Sequence, residues 1–133
     1  MIVLDAAAVI DVVLDQPSAG WVLDQLVGQD VVAPAHQSAE VLSALARLVR
    51  AGHLDPATAA DALSEAMSLP QRLVVATASH VQHAFELRER IRVLDALYVA
   101  LAVDLRCPVV TTDRRLAAAG APAEIRAPQA SPG

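Results

Sequence analysis

Apolar residues take two textures along this chain. Short unbroken runs, Ile2-Val3-Leu4, Val31-Val32, Leu73-Val74-Val75 and Pro108-Val109-Val110-Thr111, alternate with stretches where apolar residues recur every three or four positions. The runs predict short buried strands and the periodic stretches predict helices. Helices are expected over about 7–14, 18–27 (through Trp21, Val22, Leu23 and Leu26, closed by Gly28), 36–51 (Val41, Leu42, Leu45, Leu48 and Val49, with Gly52 past the end), 56–68, 77–90, 95–105 and 113–119. Asp55-Pro56 supplies a cap and a first-turn proline for the fourth of these, and Pro70 stops it. Ile125 marks a last edge strand, and the tail APQASPG, residues 127–133, is expected to be disordered. Strands alternating with helices predict an α/β fold, a three-layer sandwich with a mainly parallel central sheet, formed by one domain over residues 1–126.

Composition narrows what such a domain can do. Of the 133 residues, 55% are hydrophobic but only 2% aromatic, so the core is built from Ala, Val and Leu and little surface is left for stacking bases. The net charge is −5 and every basic residue is Arg, which argues against nucleic-acid binding by bulk charge while leaving room for a local arginine cluster. A single cysteine, Cys107, excludes an internal disulfide and a cysteine-based zinc site, and suits a reducing cytoplasm. No run approaches the roughly 18 apolar residues of a membrane span, and the N-terminus lacks the basic region of a signal peptide.

The candidate chemistry is acidic. Parallel sheets bind ligands at the carboxyl ends of their strands. Asp5 follows the first strand and Asp113 the strand at 109–111. Glu40 lies within the 36–51 helix at its apolar border, and Asp95 opens the helix in RVLDALYVALA. Two unit charges about 4 Å apart repel by roughly 4 kcal/mol at an effective dielectric near 20. Four converging carboxylates therefore require raised pKa values or a bound cation, and all-oxygen ligation selects Mg²⁺ or Mn²⁺. Metal-activated water attacking a phosphodiester is the usual chemistry of such a cluster. Asp5, Asp95 and Asp113 also each precede a helix, where an aspartate serves as an N-cap worth about 1 kcal/mol; Glu40, within its helix, escapes that explanation. The four histidines, His36, His53, His80 and His83, show no ligand pattern and are expected at the surface.

Three segments, IVLDAAAVID, SAEVLSALARL and LDALYVALAVDLRCPVVTTDRRLA, resemble in sequence and order the PIN-domain ribonucleases, specifically the VapC-type toxins of toxin–antitoxin systems. The resemblance implies that Asp5, Glu40, Asp95 and Asp113 are catalytic and gather around Mg²⁺ or Mn²⁺. It also implies cleavage of RNA (tRNA, rRNA or mRNA), a cognate antitoxin protein that covers the site, and a homodimer. The family often carries Ser, Thr or Asn where this chain has Ala7, so a polar group that would orient the metal-holding carboxylates is missing there. Thr111, matching the threonine of T-x-D, is a candidate for that role. Arg47, seven residues after Glu40, and Arg114 and Arg115, directly after Asp113, are candidate RNA-phosphate contacts; Tyr98 is expected to pack near the site.

Other classes fit less well. Dehalogenase-type phosphatases use D-x-D after the first strand, and position 7 is Ala. Response-regulator receivers pair their acids with a lysine, and the chain has none. The remaining alternative is a catalytically weak or inactive PIN-like module acting through RNA or protein binding.

Overall fold

A computed structural model describes residues 1–129. The strands are β1 (Ile2–Leu4), β2 (Val31–Pro34), β3 (Arg72–Val74), β4 (Val109–Val110) and β5 (Ile125–Arg126). The helices are α1 (Ala6–Val13), α2 (Ala19–Leu26), α3 (Gln37–Arg50), α4 (Pro56–Met67), α5 (Ala78–Glu86), α6 (Val93–Leu105) and α7 (Arg114–Ala117). The strands form one five-stranded sheet in the order β3-β2-β1-β4-β5, and every pairing is parallel. Val3 stands opposite Val32 on one side and Val109 on the other.

The unbroken apolar runs are explained by this arrangement. β1, β2 and β4 are buried along their whole length, as parallel strands covered on both faces must be. β3, at the edge, exposes Arg72 and Leu73. Right-handed crossovers put α1–α4 on one face of this strand order and α5–α7 on the other. The packing agrees: α1 contacts α2, α3 and α4, while α5 lies on α6, which crosses β1, β2 and β4. With so few aromatics, Tyr98 of α6 is the largest fully buried side chain.

Several element boundaries differ from the periodicity. α5 ends at Glu86 rather than 90, and residues 87–90 turn back so that Leu87 and Ile91 enter the core. α6 begins at Val93, two residues early, with Arg92 as its N-cap. α7 is a single turn. α1 starts directly after Asp5, a residue earlier than expected, and Ala7 sits half-buried in its first turn. In the tail, residues 127–129 have no regular structure and residues 130–133 lie outside the described residues.

Strand order reverses between β1 and β4: the chain moves outward through β2 and β3, then returns to β4 and β5 on the other side. The crevice beyond the carboxyl ends of β1 and β4 is where open α/β sheets bind ligands. It is also where helices begin, so the positive ends of the helix dipoles favour negative charge there.

Candidate active site: an acidic centre at the strand-order switch

Asp5 occupies the N-cap position of α1 but its carboxylate makes no capping bond. The side chain is instead buried, 4% exposed, and Oδ2 accepts a hydrogen bond from Thr111 Oγ1 at 2.7 Å. That contact follows from the ladder: the Asp5 amide donates to Val110 O, which puts Asp5 beside the residue that leaves β4. Burial, against the opposing effect of the Thr111 bond, pushes the Asp5 carboxyl from 3.8 up to about 6, and the charges of Asp95 and Glu40 add to the rise. An aspartate that forgoes its cap for a buried position among other acids is not explained by helix capping.

Glu40 lies in the first turn of α3, not mid-helix as the sequence pattern suggests, because the helix starts at Gln37. Gln37 is itself buried, and its amide donates to the carbonyl of Leu4 at 3.0 Å, tying α3 to the end of β1 one residue before Asp5. Tyr98 donates its hydroxyl to Glu40 Oε1 at 2.8 Å. His36 Nε2 lies 3.3 Å from the same oxygen and 3.0 Å from Leu94 O, with its ring edge-on to Tyr98. Burial raises the Glu40 pKa, but the bonds from His36, Tyr98 and Arg92 outweigh it and hold the carboxyl below its ordinary value. The Tyr98 hydroxyl is driven well above the usual tyrosine range by burial and by the charges of Glu40 and Asp5, so it stays a donor.

Asp95 is the third residue of α6 and does not cap it. Arg92 grips it with two bonds, Nε to Oδ2 at 3.2 Å and Nη2 to Oδ1 at 2.8 Å, and the same Nη2 donates to Glu40 Oε2 at 2.9 Å. Three of the four expected carboxylates, from β1–α1, α3 and α6, thus form one electrostatic unit. Asp113 differs. It caps α7 through a bond from the Arg115 amide to Oδ1 at 2.9 Å, and it reaches Asp5 only through Thr111, whose hydroxyl accepts from the Asp113 amide at 2.9 Å. Among the described residues no three His, Cys, Asp or Glu side chains are gathered tightly enough to grip a metal as they stand; the cation held between Glu40 and Asp95 is Arg92.

The comparisons with known proteins agree with the fold. A sequence profile of the PIN domain matches residues 2–122. The chain belongs to the PIN-domain family. Its curated relatives place it in the VapC branch: it is 40% identical to Ribonuclease VapC3 of Mycobacterium tuberculosis, over 89% of this chain and 86% of that protein. It is 37% identical to Ribonuclease VapC12 of the same species, over 88% and 90%. Solved structures share the fold. The PAE2754 protein of Pyrobaculum aerophilum superposes with a TM-score of 0.70 at 21% identity, covering 93% of this chain and 81% of that one. VapC20 of M. tuberculosis, a sarcin–ricin-loop-cleaving toxin, gives 0.66 at 18%, covering 91% and 96%.

The remaining candidates are distributed around this PIN-domain centre. Thr111 is fully buried, and its hydroxyl bridges the Asp5 carboxylate to the Asp113 backbone. Arg47 lines a cleft with His36 and Glu40; Arg115 lines a second with Arg90 and Asp95; Arg114 lines neither. Two expectations about histidine are corrected. His80 is buried, not at the surface: its amide and Nδ1 close a capping box with Thr77, and Nε2 meets Asp104 at 2.9 Å. His36 is part of the acidic centre. The sequence reading missed Arg92 and Gln37. Their signals were an arginine three residues before Asp95, at helical contact spacing, and a glutamine opening an otherwise apolar helix face.

Proposed function

We propose that this protein is a metal-dependent endoribonuclease, the toxin of a toxin–antitoxin pair, that hydrolyses RNA phosphodiester bonds. The observation that carries the reading is the convergence of Asp5, Glu40 and Asp95, from three separate elements, at the strand-order switch of a PIN domain. The donor set fits Mg²⁺ or Mn²⁺: every candidate ligating atom is a hard oxygen, and Asp5 is a buried carboxylate whose pKa is raised first by burial and then by the charges of Asp95 and Glu40. Asp5, Glu40 and Asp95 would hold the ion, with Asp113 joining directly or through water. When bound, a divalent cation activates water and offsets charge building on the phosphate. Thr111 orients the Asp5 carboxylate, and Tyr98 with His36 fixes Glu40. Arg47 on one side and Arg115 on the other supply phosphate contacts. The VapC relationship supports a cognate antitoxin as partner, a homodimer as the assembly and the cytoplasm as the compartment. Among the described residues no helix is long and apolar enough to cross a membrane.

Purified protein is expected to cleave RNA with Mg²⁺ or Mn²⁺ and to stop with EDTA. Asp5→Asn, Glu40→Gln and Asp95→Asn should each lower the rate at least ~100-fold, about 2.7 kcal/mol of transition-state stabilisation. Full activity in EDTA, or in all three variants, refutes the nuclease reading. No cleavage by the wild type under any of these conditions would favour a binding module on the same fold.

A further inference from the structure

Arg92 stands in an unusual position for the residue it is. It is the N-cap of α6, where Ser, Thr, Asp or Asn would satisfy the helix's free amides, and its side chain makes no capping bond. Its guanidinium instead makes three charge-assisted bonds, two to Asp95 and one to Glu40. The arginine side chain is 60% exposed, whereas those of Glu40 and Asp95 are only 16% and 14% exposed. It therefore lies over the two recessed carboxylates as a cover, held by charge and not by packing.

Two clefts meet at this cover. One, of about 420 Å³, is lined by His36, Glu40 and Arg47; the other, of about 220 Å³, by Arg90, Asp95 and Arg115. Arg92 lines both. Each cleft has an arginine besides Arg92 and a carboxylate of the acidic centre on its wall. With the Arg92 side chain turned outward, the two clefts join into a groove that passes over the carboxylates with positive charge at either end, the shape and polarity of a seat for a single polynucleotide strand.

We propose that Arg92 is an exchangeable internal cation. In the metal-free protein it neutralises Glu40 and Asp95 and keeps the groove divided. A divalent cation taking those carboxylates displaces it, the groove opens, and the freed guanidinium contacts a phosphate of the RNA strand. This rests on the metal-dependent nuclease reading above. No covalent step is involved: one cation replaces another on the same oxygens.

The test compares the wild type with Arg92→Gln and Arg92→Lys by calorimetric titration with Mn²⁺. Removing the competing charge is expected to tighten Mn²⁺ binding about tenfold or more in Arg92→Gln; Arg92→Lys, which keeps a competing charge, should not tighten it. In the wild type, the side-chain Nε–H resonance of Arg92, assigned by its loss in Arg92→Lys, should move to the position of free exposed arginines as Mg²⁺ saturates. With Mg²⁺ present, a 2′-O-methyl RNA oligonucleotide should bind Arg92→Gln several-fold more weakly and with a smaller salt slope. Unchanged or weaker Mn²⁺ binding by Arg92→Gln, or a resonance unmoved at saturation, overturns the proposal and makes Arg92 a fixed strut; the resonance decides it even if the glutamine variant does not fold. If the wild type cleaves RNA with Mg²⁺ while these readouts fail, only the exchange is wrong. If the wild type neither binds Mn²⁺ nor cleaves RNA, the nuclease reading falls as well.

Discussion

Replacing Asp5 with asparagine is expected to stabilise the metal-free protein at neutral and alkaline pH, with the gain fading as pH falls from about 6 towards 4. The carboxyl is raised from 3.8 to about 6, chiefly by burial. The folded protein thus holds this proton more tightly than the unfolded chain does. By linkage, stability falls as pH rises from the unfolded value through about 6, and the full penalty is present above that. The shift corresponds to about 3 kcal/mol. Asparagine keeps the shape, and its Oδ1 still accepts the Thr111 hydroxyl that now bonds Oδ2 at 2.7 Å. Its NH₂ needs an acceptor, and Glu40 and Asp95 are the neighbouring negative charges; imperfect pairing would cost about 1 kcal/mol. The net expectation is a gain of about 2 kcal/mol near pH 8 that shrinks to nothing near pH 4. Urea unfolding in EDTA, read as the difference between variant and wild type at each pH, isolates this contribution because other titrating groups are common to both. Glu40 has the opposite sign, its lowered pKa adding stability that is lost as pH falls, and it largely cancels in the difference. A variant less stable than wild type near pH 8, or a gain that does not change with pH, would refute the reasoning. The same substitution should lower the cleavage rate at least ~100-fold, an outcome that would mark Asp5 as a site residue kept at a cost in stability.

Two further outcomes are expected. Tyr98→Phe removes the hydroxyl that donates to Glu40 Oε1 at 2.8 Å; it should cost about 1 kcal/mol in thermal or urea unfolding and weaken Mn²⁺ binding about tenfold, and unchanged metal affinity would show that the bond does not position Glu40. Among the arginines, Arg47→Ala and Arg115→Ala should each weaken RNA binding and lower its salt slope by about one charge, whereas Arg114→Ala, outside both clefts, should change neither; equal effects at Arg114 and Arg115 would place the strand elsewhere.

The fold was legible where information is local. Unbroken apolar runs mark strands buried on both faces, and the three- and four-residue periods mark helices whose ends moved by only a few residues. The strand order was not legible, because parallel pairings such as Val3 with Val109 join distant segments. The acidic residues divided along the same line. Asp5, Asp95 and Asp113 each precede or open a helix, so sequence alone leaves all three equally suited to capping. Only the assembled sheet separates them: Asp113 does cap, Asp95 is inside its helix, and Asp5 gives its carboxylate to Thr111, 106 positions away. Arg92 was hidden for the same reason. Its bond to Glu40 spans 52 positions, and in sequence it is one of several arginines between residues 88 and 92.

The choice of arginine over lysine follows from what this centre must leave unsatisfied. A lysine ammonium is a compact point charge on a flexible stem, able to sink among several carboxylates and neutralise them together. The planar guanidinium of Arg92 bridges two carboxylates from the rim, and its side chain stays 60% exposed while doing so. Asp5 lies deeper, at 4% exposure, and the charges acting on it are those of Asp95 and Glu40, both negative. An arginine cover therefore stabilises the outer pair without relieving the inner acid. The unrelieved charge at Asp5 is what the proposed divalent cation would answer.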